Sequence, residues 1–187
     1  MYSIEKLSQY ANYSDTIKYS IDIIKKYVET DELITVLCEK GIPKNVAVDI
    51  NFLSEKRGGF SKLAELFPEL LEHKKFFQNY NESIVLASHN SCYIVIEPLN
   101  KKVLCLDLEN EYVDYVNMNL LSFFRCVLIL NQCIFELRTK YPDDFFTDNF
   151  SDDMIQDLYN EMCEIDSSIR TEESFWAFLL EEIADMR

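Results

Sequence analysis

Three apolar runs, 83–87, 92–97 and 103–108, follow one another so closely that they can pair in only one way. Their connections, Ser88-His89-Asn90-Ser91 and Pro98-Leu99-Asn100-Lys101-Lys102, are four and five residues long. A parallel crossover needs about a dozen residues or more, so these runs are read as antiparallel hairpins. Tyr112 to Val116 adds an edge strand. The chain is therefore built on a meander, and the segments before and after it must cover that sheet.

The flanking segments read mostly as helices. Residues 15–29 place Ile17, Ile21, Ile24 and Val28 on one helical face, with Ser14 or Asp15 as cap. Thr30 opens a second helix, with Asp31 and Glu32 in its first turn, Leu33, Val36 and Leu37 inward, and Gly41 and Pro43 as its stop. Val46 to Leu53 alternates apolar and polar residues and reads as a strand, before a loop at Gly58-Gly59. After the meander, Asn117 is expected to cap a long helix over 118–140, which Phe123, Phe124, Val127, Leu128, Leu130, Ile134 and Leu137 make apolar on most of its circumference. Two acidic amphipathic helices complete the pattern. One starts at Ser151 and buries Ile155, Leu158, Tyr159 and Met162; the other starts at Thr171 and buries Phe175, Trp176, Leu179 and Ile183.

A chain of 187 residues buries a core of its own, and with only three Gly and four Pro it has no linker composition and no repeat. The expected fold is α+β: a single domain over 1–187, with a central antiparallel or mixed sheet flanked by N-terminal and C-terminal helices. The N-terminus, Met1-Tyr2-Ser3-Ile4-Glu5-Lys6, lacks the basic start and apolar run of a secretory signal, and the apolar stretch 120–130 is interrupted by Ser122 and Arg125. A cytoplasmic protein that does not cross a membrane is expected.

Charge narrows the partner class. The 18 basic and 33 acidic residues give a net charge of -15, which disfavours nucleic acid and anionic membrane as ligands. From residue 141 onward there are 14 acidic residues against Arg170 and Arg187, so this segment carries -12 of the total. A protein partner with a basic surface fits that asymmetry.

Chemistry is harder to find. Cys38, Cys92, Cys105, Cys126, Cys133 and Cys163 contain no C-x-x-C pair and are read as reduced thiols; His73 and His89 are the only histidines, and no metal or other cofactor is expected. Gly58-Gly59-Phe60-Ser61-Lys62 lacks the spacing of a phosphate loop. Ser88, His89 and Ser91 share one turn without the separation from which triads are built. No enzyme is expected.

The order of the elements, with particular residues in them, carries a resemblance. The run Leu37-Cys38-Glu39-Lys40-Gly41-Ile42-Pro43, the hairpin from Ile84-Val85-Leu86-Ala87-Ser88 to Tyr93-Ile94-Val95-Ile96-Glu97, and Val103-Leu104-Cys105-Leu106-Asp107 are similar to successive blocks of the fourth subgroup of the SUKH superfamily. So are Tyr115-Val116-Asn117-Met118-Asn119-Leu120-Leu121-Ser122-Phe123-Phe124 and the closing Ser174 to Ile183. That group often has glycine near Ala87-Ser88 and in the hairpin where this chain has Asn100-Lys101. The resemblance implies an immunity protein that neutralises the toxin domain of a bacterial polymorphic toxin by binding. The alternative is a regulatory or scaffolding module of the same fold.

The binding face is sought where the charge lies. With Ile155, Leu158, Tyr159 and Met162 inward, Asp153, Asp157, Glu161 and Glu164 fall on the opposite side of the Ser151 helix, and the preceding loop adds Asp143, Asp144 and Asp148. A toxin of nuclease or deaminase type, with a basic substrate groove, suits such a face. Asp107, Glu109, Glu111 and Asp114 form the rival patch.

Overall fold

In the computed structural model the apolar runs pair as their short connections require. The structure describes residues 3–13, 16–28, 30–46, 49–70, 75–142, 146–170 and 174–186. A 3-10 segment, Ile4–Tyr13, leads into β1 (Thr16–Ile17), α1 (Ile21–Ile24) and α2 (Asp31–Ile34), the last continued by a π-helical stretch Thr35–Lys40. Then come β2 (Ile42–Pro43), β3 (Asn45–Val46), β4 (Ile50–Phe52), α3 (Leu63–Leu66) and α4 (Lys75–Tyr80). The meander is β5 (Ile84–His89), β6 (Cys92–Ile96), β7 (Val103–Asp107) and β8 (Tyr112–Asn117), followed by α5 (Leu120–Lys140), α6 (Asp152–Ile165) and α7 (Phe175–Asp185). Strands β3 to β8 form one antiparallel sheet in chain order, and β1 pairs with β2 apart from it.

Both faces of the sheet are covered, which is why its strands read as continuous apolar runs rather than alternating ones. Ile84, Leu86, Ile94, Ile96, Val103 and Cys105 face the larger core beneath α5 and α7. Val85, Val95, Leu104 and Leu106 face a smaller one closed by Leu63 and Phe77, from the long excursion between β4 and β5. A bulge in β5 keeps this division: Val85 pairs with Val95 but Ala87 with Ile94, so the extra residue returns Ala87 to the larger core. Gly59 anchors the start of the excursion, because a Cβ there would lie 1.8 Å from the Leu53 carbonyl oxygen.

Helix α5 lies centrally, with Phe123, Phe124, Val127 and Leu130 fully enclosed. Its mean hydropathy of 1.7 is high enough for a membrane span, yet 61% of that window is buried inside the fold. Arg125 is tolerated on it because Glu32 accepts from its guanidinium at 3.4 Å while also accepting the Ile4 N–H at 3.0 Å.

Several expected elements take a different form. The helix expected over 15–29 is a strand followed by one turn of helix: Ile17 pairs with Ile42, and the β-branched Thr16 and Ile17 suit that ladder better than a helix end. Asp15 and Glu29 lie outside the described residues. The strand expected over 46–53 is a tight hairpin, reversing near Asp49, which holds φ +58° as Asp can. Asn119, not Asn117, caps α5, its Oδ1 accepting the Ser122 N–H at 2.9 Å. Ser174, not Thr171, caps α7, accepting the Ala177 N–H at 3.2 Å; residues 171–173 lie outside the described part.

Asn117 instead sits wholly buried at the end of β8, inside a polar network. Its Oδ1 accepts the Trp176 Nε1–H at 2.9 Å, and its Nδ2 donates to Asp166 Oδ2 at 3.1 Å. The same oxygen of Asp166 accepts the Met118 N–H at 2.7 Å, while Oδ1 accepts from the Ser168 N–H at 3.1 Å and from its hydroxyl. Burial alone would raise the Asp166 carboxyl, but the donors from Ser168, Met118 and Asn117 outweigh it and hold the group below its ordinary value.

Two outcomes follow. The depressed pKa means that the Asp166 contribution is complete above the unfolded carboxylate value, about 3.9, and is lost as pH falls through the folded value. Asp166→Asn should therefore cost about 1.5–3 kcal/mol at neutral pH, the usual worth of hydrogen bonds to a charged group. The gap from wild type in urea unfolding should close on acidification, and a gap independent of pH would remove the charge from the account. The second concerns the β6–β7 turn, where Lys101 holds φ +59° and donates its N–H to the Glu97 carbonyl at 2.9 Å. A left-handed non-glycine costs about 1–2 kcal/mol, and glycine returns about 0.5–1 kcal/mol of that as unfolded-chain entropy. Lys101→Gly should leave the thermal midpoint unchanged or raise it by the equivalent of up to about 1.5 kcal/mol.

Candidate interaction surface

Helix α6 is set by its cap and its apolar stripe. The Ser151 hydroxyl accepts the Met154 N–H at 3.3 Å, and Asp152 and Asp153 follow in the first turn, where the helix dipole favours them. Leu158, Met162 and Cys163 are buried, and Ile155 and Tyr159 are half-buried, so the inward face is the one the periodicity requires. The Tyr159 hydroxyl donates to the Ile169 carbonyl at 2.8 Å and ties the helix to the turn behind it.

Asp153, Asp157, Glu161 and Glu164 are all exposed on the outward face, one acidic stripe along the helix. Among the described residues no Lys or Arg forms an ion pair with Asp153, Asp157 or Glu164. Asp148, in a 3-10 turn over Phe146–Asn149, is exposed just before the helix. Asp143 and Asp144 lie outside the described residues.

The stripe runs between two depressions. On the α5 side, Asp157 and Glu161 border a groove of about 240 Å³ with Gln132, Cys133 and Glu136. Between α6 and α7 lies a hollow of about 620 Å³, with a floor of Ile155, Tyr159, Ala177, Leu180 and Ala184 and charged groups Asp152, Glu181 and Arg170 at its margin. Apolar floors with charged rims are the usual make-up of a protein-binding face. The rival patch is partly committed to a turn: Asp107 accepts the N–H groups of Glu109 and Asn110, both at 2.9 Å, and Asn110 Nδ2 at 2.8 Å. Glu109 and Glu111 there are exposed and Asp114 is half-buried.

The groups with potential chemistry are placed differently. Ser88 and His89 are consecutive on β5, so their side chains leave opposite faces of the sheet. His89 is buried, its ring edge on Phe175 at 5.2 Å between centroids, and its Nε2 is 3.6 Å from Glu182 Oε2. His73 lies outside the described residues. Gly58 ends a 3-10 turn at Glu55–Arg57 with φ +90°, which gives the double glycine a structural use. Among the described residues no three His, Cys, Asp or Glu side chains converge to hold a metal ion.

Sequence reasoning missed the hollow between α6 and α7 and the Asn117–Asp166–Trp176 network. The hollow follows from how two helices pack, which no single-helix periodicity carries. A signal for the network was present in Asp166, one acid in the last stretch that interrupts an otherwise exposed acidic pattern beside Ile165 and Ile169.

No curated protein and no solved structure matches the chain. The family model described as SUKH-4 immunity protein matches residues 30–182, from the cap of α2 into α7, and takes in the whole meander, α5 and the acidic helix. With that match over most of its length, on the element order that the fold displays, this chain belongs to the SUKH-4 immunity protein family.

Proposed function

We propose that the protein neutralises a cognate bacterial toxin domain, of nuclease or deaminase type, by seating the acidic face of α6 over the toxin's basic substrate groove and occluding its active site. Family membership supports the immunity role and a protein toxin as partner. The observation that carries the finer reading is the stripe of Asp153, Asp157, Glu161 and Glu164, exposed together on one helix. Like charges four residues apart cost a helix about 0.2–0.5 kcal/mol per pair, a standing cost that a basic partner would relieve. A groove shaped for a nucleic-acid substrate is basic, so an acidic helix competes for the same charges. Inhibition is by binding: the toxin meets this face in the cytoplasm of the cell that makes the immunity protein, with no nucleic acid, membrane or cofactor taking part.

Charge attraction of this kind acts mainly on the association rate, which complementary fields raise by about 10- to 1,000-fold at low salt. Co-expression with the toxin domain and co-purification should yield a complex. The triple change Asp153→Lys, Asp157→Lys and Glu161→Lys should slow association about tenfold or more, flatten its salt dependence and leave the thermal midpoint nearly unchanged. Unaltered association after that change would move the interface to the 107–114 patch.

A further inference from the structure

Helices α6 and α7 leave a hollow of about 620 Å³ between them, lined in two ways. Leu180 is buried in its floor, Ile155 and Tyr159 are half-buried on the α6 side, and Ala177 and Ala184 form the α7 side. The two alanines keep that side low, and a longer side chain at either position would fill the space. They are seven residues apart, about 10.5 Å of helix, so the floor is long enough for two turns of another helix. The surrounding charge has one sign: α6 carries five carboxylates and α7 three, with no Lys or Arg on either. Asp152 and Glu181 are exposed at the edge, and Arg170, from the connection between the helices, is the one described cation there.

We propose that this hollow seats an amphipathic basic helix of the toxin domain, its apolar side chains on Ile155, Tyr159 and Leu180 and its Lys or Arg residues facing Asp152 and Glu181. The proposal rests on the reading of the partner as a basic toxin, and adds the element of that toxin which makes the contact.

Backbone hydrogen bonding selects a helix over an extended segment. Along their length α6 and α7 use their own N–H and C=O groups internally and offer an extended chain nothing to pair with, whereas a helix satisfies its own backbone. A trough between two helices is also a shape into which a third can pack, side-chain ridges into the groove. Charge selects a basic occupant over a second copy of this chain, whose net charge of -15 repels its like. The acidic stripe and the hollow then act at different stages. Exposed charge speeds the encounter, while apolar side chains seated between α6 and α7 hold the complex once formed, so the hollow acts on the dissociation rate.

The probe is a synthetic helix of about 15 residues made of Leu and Lys in helical register, titrated into the full chain while amide chemical shifts are followed. It should move the signals of Ile155, Tyr159, Ala177 and Leu180. A twin with Glu in place of Lys should leave them unmoved, and one with Ser in place of Leu should move only the exposed acidic stripe. Ala184→Trp should abolish the shifts in the floor by filling it, and Glu181→Lys, an exposed change that spares the fold, should weaken the peptide about tenfold. In the complex with the co-purified toxin domain, Ala184→Trp should speed dissociation about tenfold or more and leave association and its salt dependence unchanged. Equal binding of the acidic twin, a floor that no peptide moves, or full affinity in Glu181→Lys would overturn the proposal. So would a dimer in light scattering that Ala184→Trp disperses, which would make the occupant a second copy. An unchanged dissociation rate beside the slowed association of the triple Lys variant ends this proposal and leaves the stripe standing, whereas no effect from either ends both.

Discussion

The buried carboxylate of Asp166 is the point at which the separate parts of this fold are joined. It lies after α6, but its donors come from the end of β8 and the approach to α5: the Asn117 amide and the Met118 N–H. Through Asn117 it also fixes the indole of Trp176 on α7. Sheet, central helix and both C-terminal helices therefore meet at one charge, and no single one of them can shift without leaving a buried polar group unpaired, at about 1–3 kcal/mol each. Such a charge stabilises little unless fully satisfied, and here the turn after it completes the set through Ser168. The exposed acidic face of α6 depends on it in turn, since the helix is held at its C-terminal end by this residue.

Much of the fold was legible because the informative signals were local. Hairpins 88–91 and 98–102 are constrained by length alone, and the Ser151 cap with Ile155, Leu158 and Met162 behind it defines α6 without reference to the rest of the chain. The failures are equally particular. Ile17, Ile24 and Val28 are all buried, as a helical face would have them, yet Ile17 is recruited by Ile42, a pairing that no window centred on 15–29 contains. Asn117 and Asn119 are the same residue type two positions apart, and only tertiary contact decides which becomes a cap and which a buried hub. The acidic stripe was legible as a helix face, but the hollow beside it exists only because α7 packs across from Ile155 and Tyr159.

The arrangement divides labour between the two sides of the sheet. The β4–β5 excursion closes one face with Leu63 and Phe77, while α5, α6 and α7 build outward from the other. Helix α6 packs outside α5 and leaves Asp153, Asp157, Glu161 and Glu164 exposed on its outward face.

The sheet's borders carry a different consequence. On one side the last strand, β3, is only two residues long. On the other, β8 is bridged by Ser174 at Tyr115 and ends in the Asp166 network, and its beginning is flanked by Glu111 and contains Asp114. Short, bridged or charged margins deny an incoming strand the continuous row of N–H and C=O groups that it would need for pairing. Strand addition, the route by which many β-sheet proteins capture an extended peptide, is therefore disfavoured at these two borders, and the same features act against edge-to-edge self-association.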